Sequence, residues 1–103
     1  MKVLLSIKPE YAFKIFDGSK RYEFRKNIFR RKNIDKVVVY ASSPVQKVIG
    51  EFEIVDILHE KTELLWEITQ QYSGISKEFY DQYFEDRDHA FAIKVGRVKE
   101  YSC

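Results

Sequence analysis

Between Gly18 and Lys26 the chain reads Gly-Ser-Lys-Arg-Tyr-Glu-Phe-Arg-Lys, with a single carboxylate among four cations. In an extended strand, side chains alternate, so Arg21, Glu23 and Arg25 share one face at about 6 to 7 Å per step. A glutamate between two arginines stays ionised and holds a guanidinium in place. A guanidinium held in this way offers a fork of donors to a phosphate or to a base edge. Lys20, at the mouth of the strand, can reach a cation into a cleft. The same residues also fit an ordinary solvent-facing salt-bridge ladder, worth about 1 kcal/mol or less per pair.

Other chemistries find little footing. The four glycines, at 18, 50, 74 and 96, are too scattered for a phosphate-cradling loop. No G-x-S-x-G elbow occurs. The lone cysteine, Cys103, is the last residue, has no disulfide partner and is poorly placed as a buried nucleophile. His59 and His89 stand in unrelated contexts without ligand spacing, so neither a metal nor a cofactor is expected. His89 reads as a strand-start residue with a local hydrogen bond. The carboxylate pairs Glu51/Glu53 and Glu60/Glu63 could serve glycoside chemistry, but exposed acidic pairs usually face solvent. Among the seven Tyr and eight Phe, Phe13, Phe16, Phe52, Phe79 and Phe91 fit core faces. Tyr40, at a strand end beside Ser42 and Ser43, is the better candidate to line a site.

Length and charge bound the possibilities. At 103 residues and 12.3 kDa there is room for one domain, residues 1–103, with one core. A chain that is 45% hydrophobic and 33% charged is neither disordered nor membrane-embedded. The opening apolar stretch is broken by Lys8, too early for a signal peptide. A reducing, cytoplasmic setting suits the cysteine usage. The net charge of +2 conceals an uneven distribution. Residues 1–33 carry ten Lys or Arg against Glu10, Asp17 and Glu23, a balance of +7, whereas the other 70 carry eight against thirteen acids. Such asymmetry marks a surface for a polyanion or an acidic partner, or a solvated basic face.

The elements that must position these groups follow from pattern. Lys2 to Lys8 is a short apolar run, expected as a strand buried on both faces. Pro9 and Glu10 open a helix whose apolar face is Tyr11, Ala12, Ile15 and Phe16 and whose left-handed cap is Gly18. Lys20 to Lys26 alternates as a strand with Tyr22 and Phe24 behind and charges in front. Asn27 to Asn33 is a basic connection, anchored by Ile28 and Phe29 and expected to hold one helical turn. Ile34 to Tyr40 is a β-branched strand entering the turn Ala41-Ser42-Ser43-Pro44. Gln46 to Leu58 is a long strand with a bulge near Gly50. From Lys61 a helix carries Leu64, Leu65, Ile68 and Tyr72 on one stripe and ends near Gly74, with Trp66 just off that stripe. Ser76 caps a second helix containing Phe79, Tyr80, Tyr83 and Phe84. His89 to Val98 closes as a strand. Together they predict an α+β domain around a mixed, curved sheet, or a flat two-layer sheet with helices on one side.

Three segments give the chain its family likeness: Leu5-Ser6-Ile7-Lys8-Pro9, Gly18 to Arg25, and Val39-Tyr40-Ala41-Ser42-Ser43-Pro44. The chain resembles the ASCH family of the PUA-like superfamily, and its Gly18, Lys20, Glu23 and Arg25 match every fixed position of the family pattern G-x-K-x-x-E-x-R. Ala90 to Lys94 is similar to the family's closing strand. The resemblance implies a barrel-like, mixed curved sheet of about five to six strands with two to three helices at its openings. It also implies a cleft lined by Lys8, Lys20, Glu23, Arg25 and Ser42. There Lys20 and Arg25 would meet a phosphate or base carbonyl, Glu23 would orient them, and Ser42 would bond a base edge. Lys26, Tyr40 and Ser43 complete the candidate ligand set, and Arg30, Arg31 and Lys32 would hold a nucleic-acid backbone nearby.

The expected function is a module that binds single-stranded RNA or reads a modified nucleotide, with DNA not set aside and no membrane partner. One branch of the family deacetylates acetylcytidine. Lys20 matches that branch's lysine, but Glu23 stands where it has a threonine. An amidohydrolase here would use Glu23 to activate water and Lys20 to steady an oxyanion. A third class is a protein-interaction or transcription-regulator-associated domain whose basic face docks an acidic protein.

Overall fold

The computed structural model describes residues 1–102, and Cys103, with the reading of the lone cysteine, lies outside the described residues. Five strands and three α-helices follow one another: β1 (Lys2–Ile7), α1 (Pro9–Asp17), β2 (Tyr22–Arg25), β3 (Lys36–Ala41), β4 (Lys47–Lys61), α2 (Thr62–Thr69), α3 (Lys77–Tyr83) and β5 (His89–Glu100). A 3-10 turn, Gln70–Tyr72, extends α2. Among the described residues, no helix is long and apolar enough to cross a membrane.

The sheet order is β1-β3-β4-β5-β2, parallel between β1 and β3 and antiparallel elsewhere. Although β1 and β2 are its two edges, Ser6, Ile7, Glu23 and Arg25 line a single cleft. The sheet is therefore curled into a mixed half-barrel whose edges face each other without pairing. Right-handed twist and the register shifts in β4 supply the curl. Opposite Val39 and Tyr40 the partners are Gly50 and Val48, which leaves Ile49 as the bulge. Inside the curl lies one core, with Ile7, Ala12, Ile15, Val37, Val39, Phe52 and Ile93. A second core, with Phe24, Leu65, Tyr80, Phe84, Ala90 and Ala92, lies beneath α2 and α3.

Local signals act as their chemistry dictates. Pro9 starts α1, Gly18 ends it in the left-handed region at φ 88°, and the Ser76 hydroxyl accepts from the Phe79 amide to start α3. Ile28 and Phe29 anchor the basic connection against the inner core, but no helical turn forms there.

Four expectations change. β1 is not buried on both faces: it is an edge strand, and Leu4 points outward at 59% exposure. Phe13 is exposed, because Ala12 and Ile15 already fill the core-facing side of α1. α2 buries Leu65 and Thr69 and rests Trp66 on Tyr80, while Leu64, Ile68 and Tyr72 face outward. The most apolar stripe of a short helix is thus not the one its neighbours cover. Glu51, finally, is not half of a free acidic pair. Lys2 Nζ and the Tyr101 hydroxyl donate to its Oε1 at 2.9 and 2.7 Å, and Lys36 Nζ lies 3.5 Å from Oε2. These bonds, led by Lys2, draw its carboxyl down to about 2.

Gly50 is constrained by space. A Cβ there would lie 2.5 Å from Phe16 Cζ and 2.6 Å from the Lys99 carbonyl oxygen. The backbone atom cannot yield cheaply, so Gly50→Ala should lower unfolding free energy by about 1–3 kcal/mol in urea titrations. An unchanged midpoint would show that β4 and β5 can part there at no cost.

Candidate functional site

The cleft between the sheet edges has a volume of about 200 Å³ and brings together Lys8, Lys20, Glu23 and Arg25, with Ser6, Tyr11, Phe79 and Tyr83. Its floor is built by the turn out of α1. Gly18 reverses the chain, the Ser19 amide and hydroxyl both donate to Asp17 Oδ1 (2.8 and 2.6 Å), and the Lys20 amide donates to the Lys14 carbonyl at 3.0 Å. The Arg21 amide then bonds the Tyr72 carbonyl, and its own carbonyl accepts from Val95, which starts β2 against β5. Lys20 is thereby pinned immediately before the strand, with its side chain turned inward.

That side chain is 1% exposed. Its Nζ donates to the Ser73 carbonyl at 2.6 Å and lies 4.8 Å from the Phe24 ring centre and 5.5 Å from that of Tyr11. Among the described residues, Ser73 is its only hydrogen-bond acceptor, and an ammonium has three hydrogens to give. Gly74, at φ +70°, closes over the aliphatic stem. A Cβ there would lie 2.5 Å from Lys20 Cβ, so only glycine fits.

Glu23 is 7% exposed, and its Oε2 lies 3.6 Å from Arg25 Nη1. Burial pushes its carboxyl up from the ordinary range, while Lys20 and Arg25 pull it back. Arg21, expected on the same face, instead lies over the Tyr72 ring at 4.5 Å, because β2 begins only at Tyr22. The charged front of β2 is therefore a buried floor rather than a solvated ladder.

The walls are aromatic and the rim is basic. Phe79 and Tyr83, one turn apart on α3, are parallel within 11° at 6.1 Å, and Tyr11 meets Phe79 at 5.4 Å. Lys8 Nζ lies 5.5 Å from the Phe79 ring centre and Lys26 Nζ 4.9 Å from that of Tyr83. Phe79 was expected in the core. Four aromatics at 79, 80, 83 and 84 oversubscribe one helical face, so Tyr80 and Phe84 are buried while Phe79 and Tyr83 turn to the cleft. That oversubscription was the available signal. Ser6 and Ile75, which also line the cleft, had none beyond their neighbours.

Other candidates lie apart. The Ser42 amide donates to the Ile7 carbonyl at 3.0 Å, which ties the Ser42–Ser43 turn to the end of β1, but neither serine nor Tyr40 is among the cleft-lining residues. The tract Arg30, Arg31 and Lys32 is exposed at the opposite end of β1, where Arg31 Nη1 lies 3.3 Å from Met1 Sδ. The length of β1 puts roughly 20 Å between that end and Lys8. No group of three or more metal-ligating side chains occurs among the described residues.

Burial is the main cause that brings Lys20 down from 10.5 to about 8; Lys14 adds to the fall and Glu23 opposes it. Between these values the unfolded chain keeps a proton that the folded one has released, so stability rises with pH across this window. Below about pH 8 both states are protonated and the burial cost is present in full. Each pKa unit is worth about 1.4 kcal/mol, so the gain across the whole window is about 3 kcal/mol, of which about 2 falls below pH 9.5. Urea midpoints should rise from pH 7.5 to 9.5 in the wild type and show no such gain in Lys20→Met. A level or falling wild-type midpoint would contradict a buried ammonium.

Comparison with known proteins accords with this geometry. An ASCH domain model matches residues 5–99. A protein from Zymomonas mobilis named ASCH domain-containing ribonuclease is 31% identical over 92 residues, which are 89% of this chain and 62% of that protein. ATP synthase subunit alpha of Ureaplasma parvum is 33% identical over 100 residues, 96% of this chain but only 12% of that protein. The chain thus spans less than two thirds of either relative. A crystal structure of ASCH from Zymomonas mobilis superposes with a TM-score of 0.90 at 28% identity, over 96% of this chain and 69% of that one. With the family match running through nearly every element described above, the chain belongs to the ASCH domain family.

Proposed function

We propose that this domain binds single-stranded RNA by taking one base into the cleft between its sheet edges. The observation that carries it is the Lys20–Glu23 floor beneath aromatic walls. A buried donor and a buried acceptor lie where the edge of a planar ring would reach them, and Phe79, Tyr83 and Tyr11 offer faces for that ring. A cleft of about 200 Å³ is smaller than the roughly 300 Å³ at which drug-sized sites begin, so it suits a base with its sugar outside. Lys8, Arg25 and Lys26 at the rim then meet the phosphates. A modified base is within its scope, since an added carbonyl is an acceptor for Lys20. The relative named a ribonuclease supports RNA as the partner class.

A second reading is favoured by the opposed shifts of the floor residues. A lysine brought down to about 8 beside a carboxyl pushed above its ordinary range pairs a readier proton donor with a stronger base. In that case Glu23 takes a proton from an attacking hydroxyl or water and Lys20 steadies the developing oxyanion. The bond broken is the P–O5′ bond of the bound RNA or the amide bond that holds an acetyl group on its base, and the proton taken by Glu23 returns to the leaving oxygen or nitrogen.

Fluorescence anisotropy of a short labelled single-stranded RNA tests the first reading, and the same samples run on a gel, with acetylcytidine assayed in parallel, test the second. Lys20→Ala and Arg25→Ala should each weaken binding by about ten-fold or more with the fold intact, a charged hydrogen bond being worth roughly 1.5–3 kcal/mol. Wild-type affinity in both variants would sink the binding site. Intact RNA and intact acetylcytidine at high protein concentration would remove the catalytic reading.

A further inference from the structure

His59 and His89 are thirty residues apart in sequence, yet the β4–β5 register places His59 opposite Phe91 and Lys61 opposite His89. The two imidazoles lie 5.6 Å apart. The His59 ring stacks on Phe91 with centres 4.1 Å apart and planes within 11°. On its other side Phe91 pairs with Arg25 of β2. Paired residues of antiparallel strands present their side chains to the same face, so Arg25, Phe91 and His59 form one row across β2, β5 and β4. The neighbouring row on that face is Glu23, Ile93 and Ile57. The row therefore starts at Arg25 on the cleft rim and leaves the cleft along the inner face of the sheet.

Burial sets the two rows apart. Ile93 is fully buried in the inner core, whereas Phe91 is half-buried and His59 and His89 are exposed. A ring stack at that position covers Phe91 while leaving the outer face of the imidazole open. Arg25 at the β2 end of the row, and Lys61 two residues beyond His59 along β4, supply cations, the complement of a phosphodiester backbone.

We propose that the Arg25–Phe91–His59 row is a second base subsite, on which the nucleotide next to the one in the cleft stacks against His59 while Arg25 bridges the phosphate between them. It rests on the RNA-binding role of the cleft and adds a direction: the strand leaves the cleft across β2, β5 and β4. Aromatic stacking tolerates any base, so this subsite contributes affinity without sequence preference.

The test compares the four nucleoside monophosphates with a random-sequence RNA trinucleotide, each titrated into wild type, His59→Ala, His59→Phe and Phe91→Leu. The trinucleotide should bind wild type more tightly than the monophosphates. His59→Ala and Phe91→Leu should weaken it about five-fold or more and leave monophosphate affinity unchanged, while His59→Phe restores it. Because His59 is exposed, its loss should not disturb the fold. Wild-type trinucleotide affinity in both His59→Ala and Phe91→Leu, or equal affinity of wild type for the two ligand sizes, overturns the second subsite and leaves the cleft standing. Absence of binding to either ligand overturns both.

Discussion

Burying one lysine at the point where the two sheet edges come together is the constraint that organises this domain. An ammonium held at 1% exposure needs an acceptor, a counter-charge and tolerant walls, because an unpaired buried charge costs several kcal/mol. Here the Ser73 carbonyl is the acceptor, Glu23 the counter-charge, and the Phe24 and Tyr11 rings the walls. They come from three elements: Ser73 from the turn before α3, Glu23 and Phe24 from β2, and Tyr11 from α1. Satisfying one side chain thus ties the helices to the free edge of the sheet. Gly18 gives the turn that aims Lys20 inward, and Gly74 leaves the space its stem occupies. Groups kept at such cost and left facing a cleft are poor contributors to stability, which is why we assign them to ligand chemistry.

The same constraint explains why the half-barrel stays open. A closed barrel would pair β1 with β2 and cover both edges. Instead the edges are joined only through α1, and the gap retains a buried acid and base with aromatic sides. On the opposite flank, Glu51 gathers Lys2, Lys36 and Tyr101 and fastens β1 and the C-terminal stretch to β4. Two acidic residues of one chain therefore play unlike parts. Glu51 has its oxygens filled by protein donors, whereas Glu23, among the described residues, has Arg25 at 3.6 Å as its only ion-pair partner and faces the cleft.

Much of this was legible in the sequence, and what was not has a common cause. Pro9, Gly18, Ser76 and Gly50 act within a few residues of themselves, so the starts of α1 and α3, the turn into β2 and the bulge in β4 could be read directly. The motif residues Lys20, Glu23 and Arg25 all line the cleft, the first two at its floor and Arg25 at its rim. Features that depend on partners distant in sequence were hidden. Leu4 looked buried because nothing in Lys2 to Lys8 says that β1 has a neighbour on one side only. Leu64, Ile68 and Tyr72 looked like the inner stripe of α2 because the surface beneath that helix is made by β4 and β5. His59 and His89 looked unrelated because only strand register brings them together. The basic third of the chain read as one patch, but β1 carries Lys8 to one end and leaves Arg30, Arg31 and Lys32 at the other.

That separation makes the central claim open to one direct measurement: amide and side-chain chemical-shift mapping by NMR as a short single-stranded RNA is titrated into the labelled protein. If the cleft takes the base, the largest changes fall on Lys8, Lys20, Glu23, Phe79 and Tyr83, with Arg30 to Lys32 nearly still. Changes confined to Arg30, Arg31 and Lys32, with Lys20 and Glu23 unmoved, would contradict it and reduce the Lys20–Glu23 pair to a structural feature.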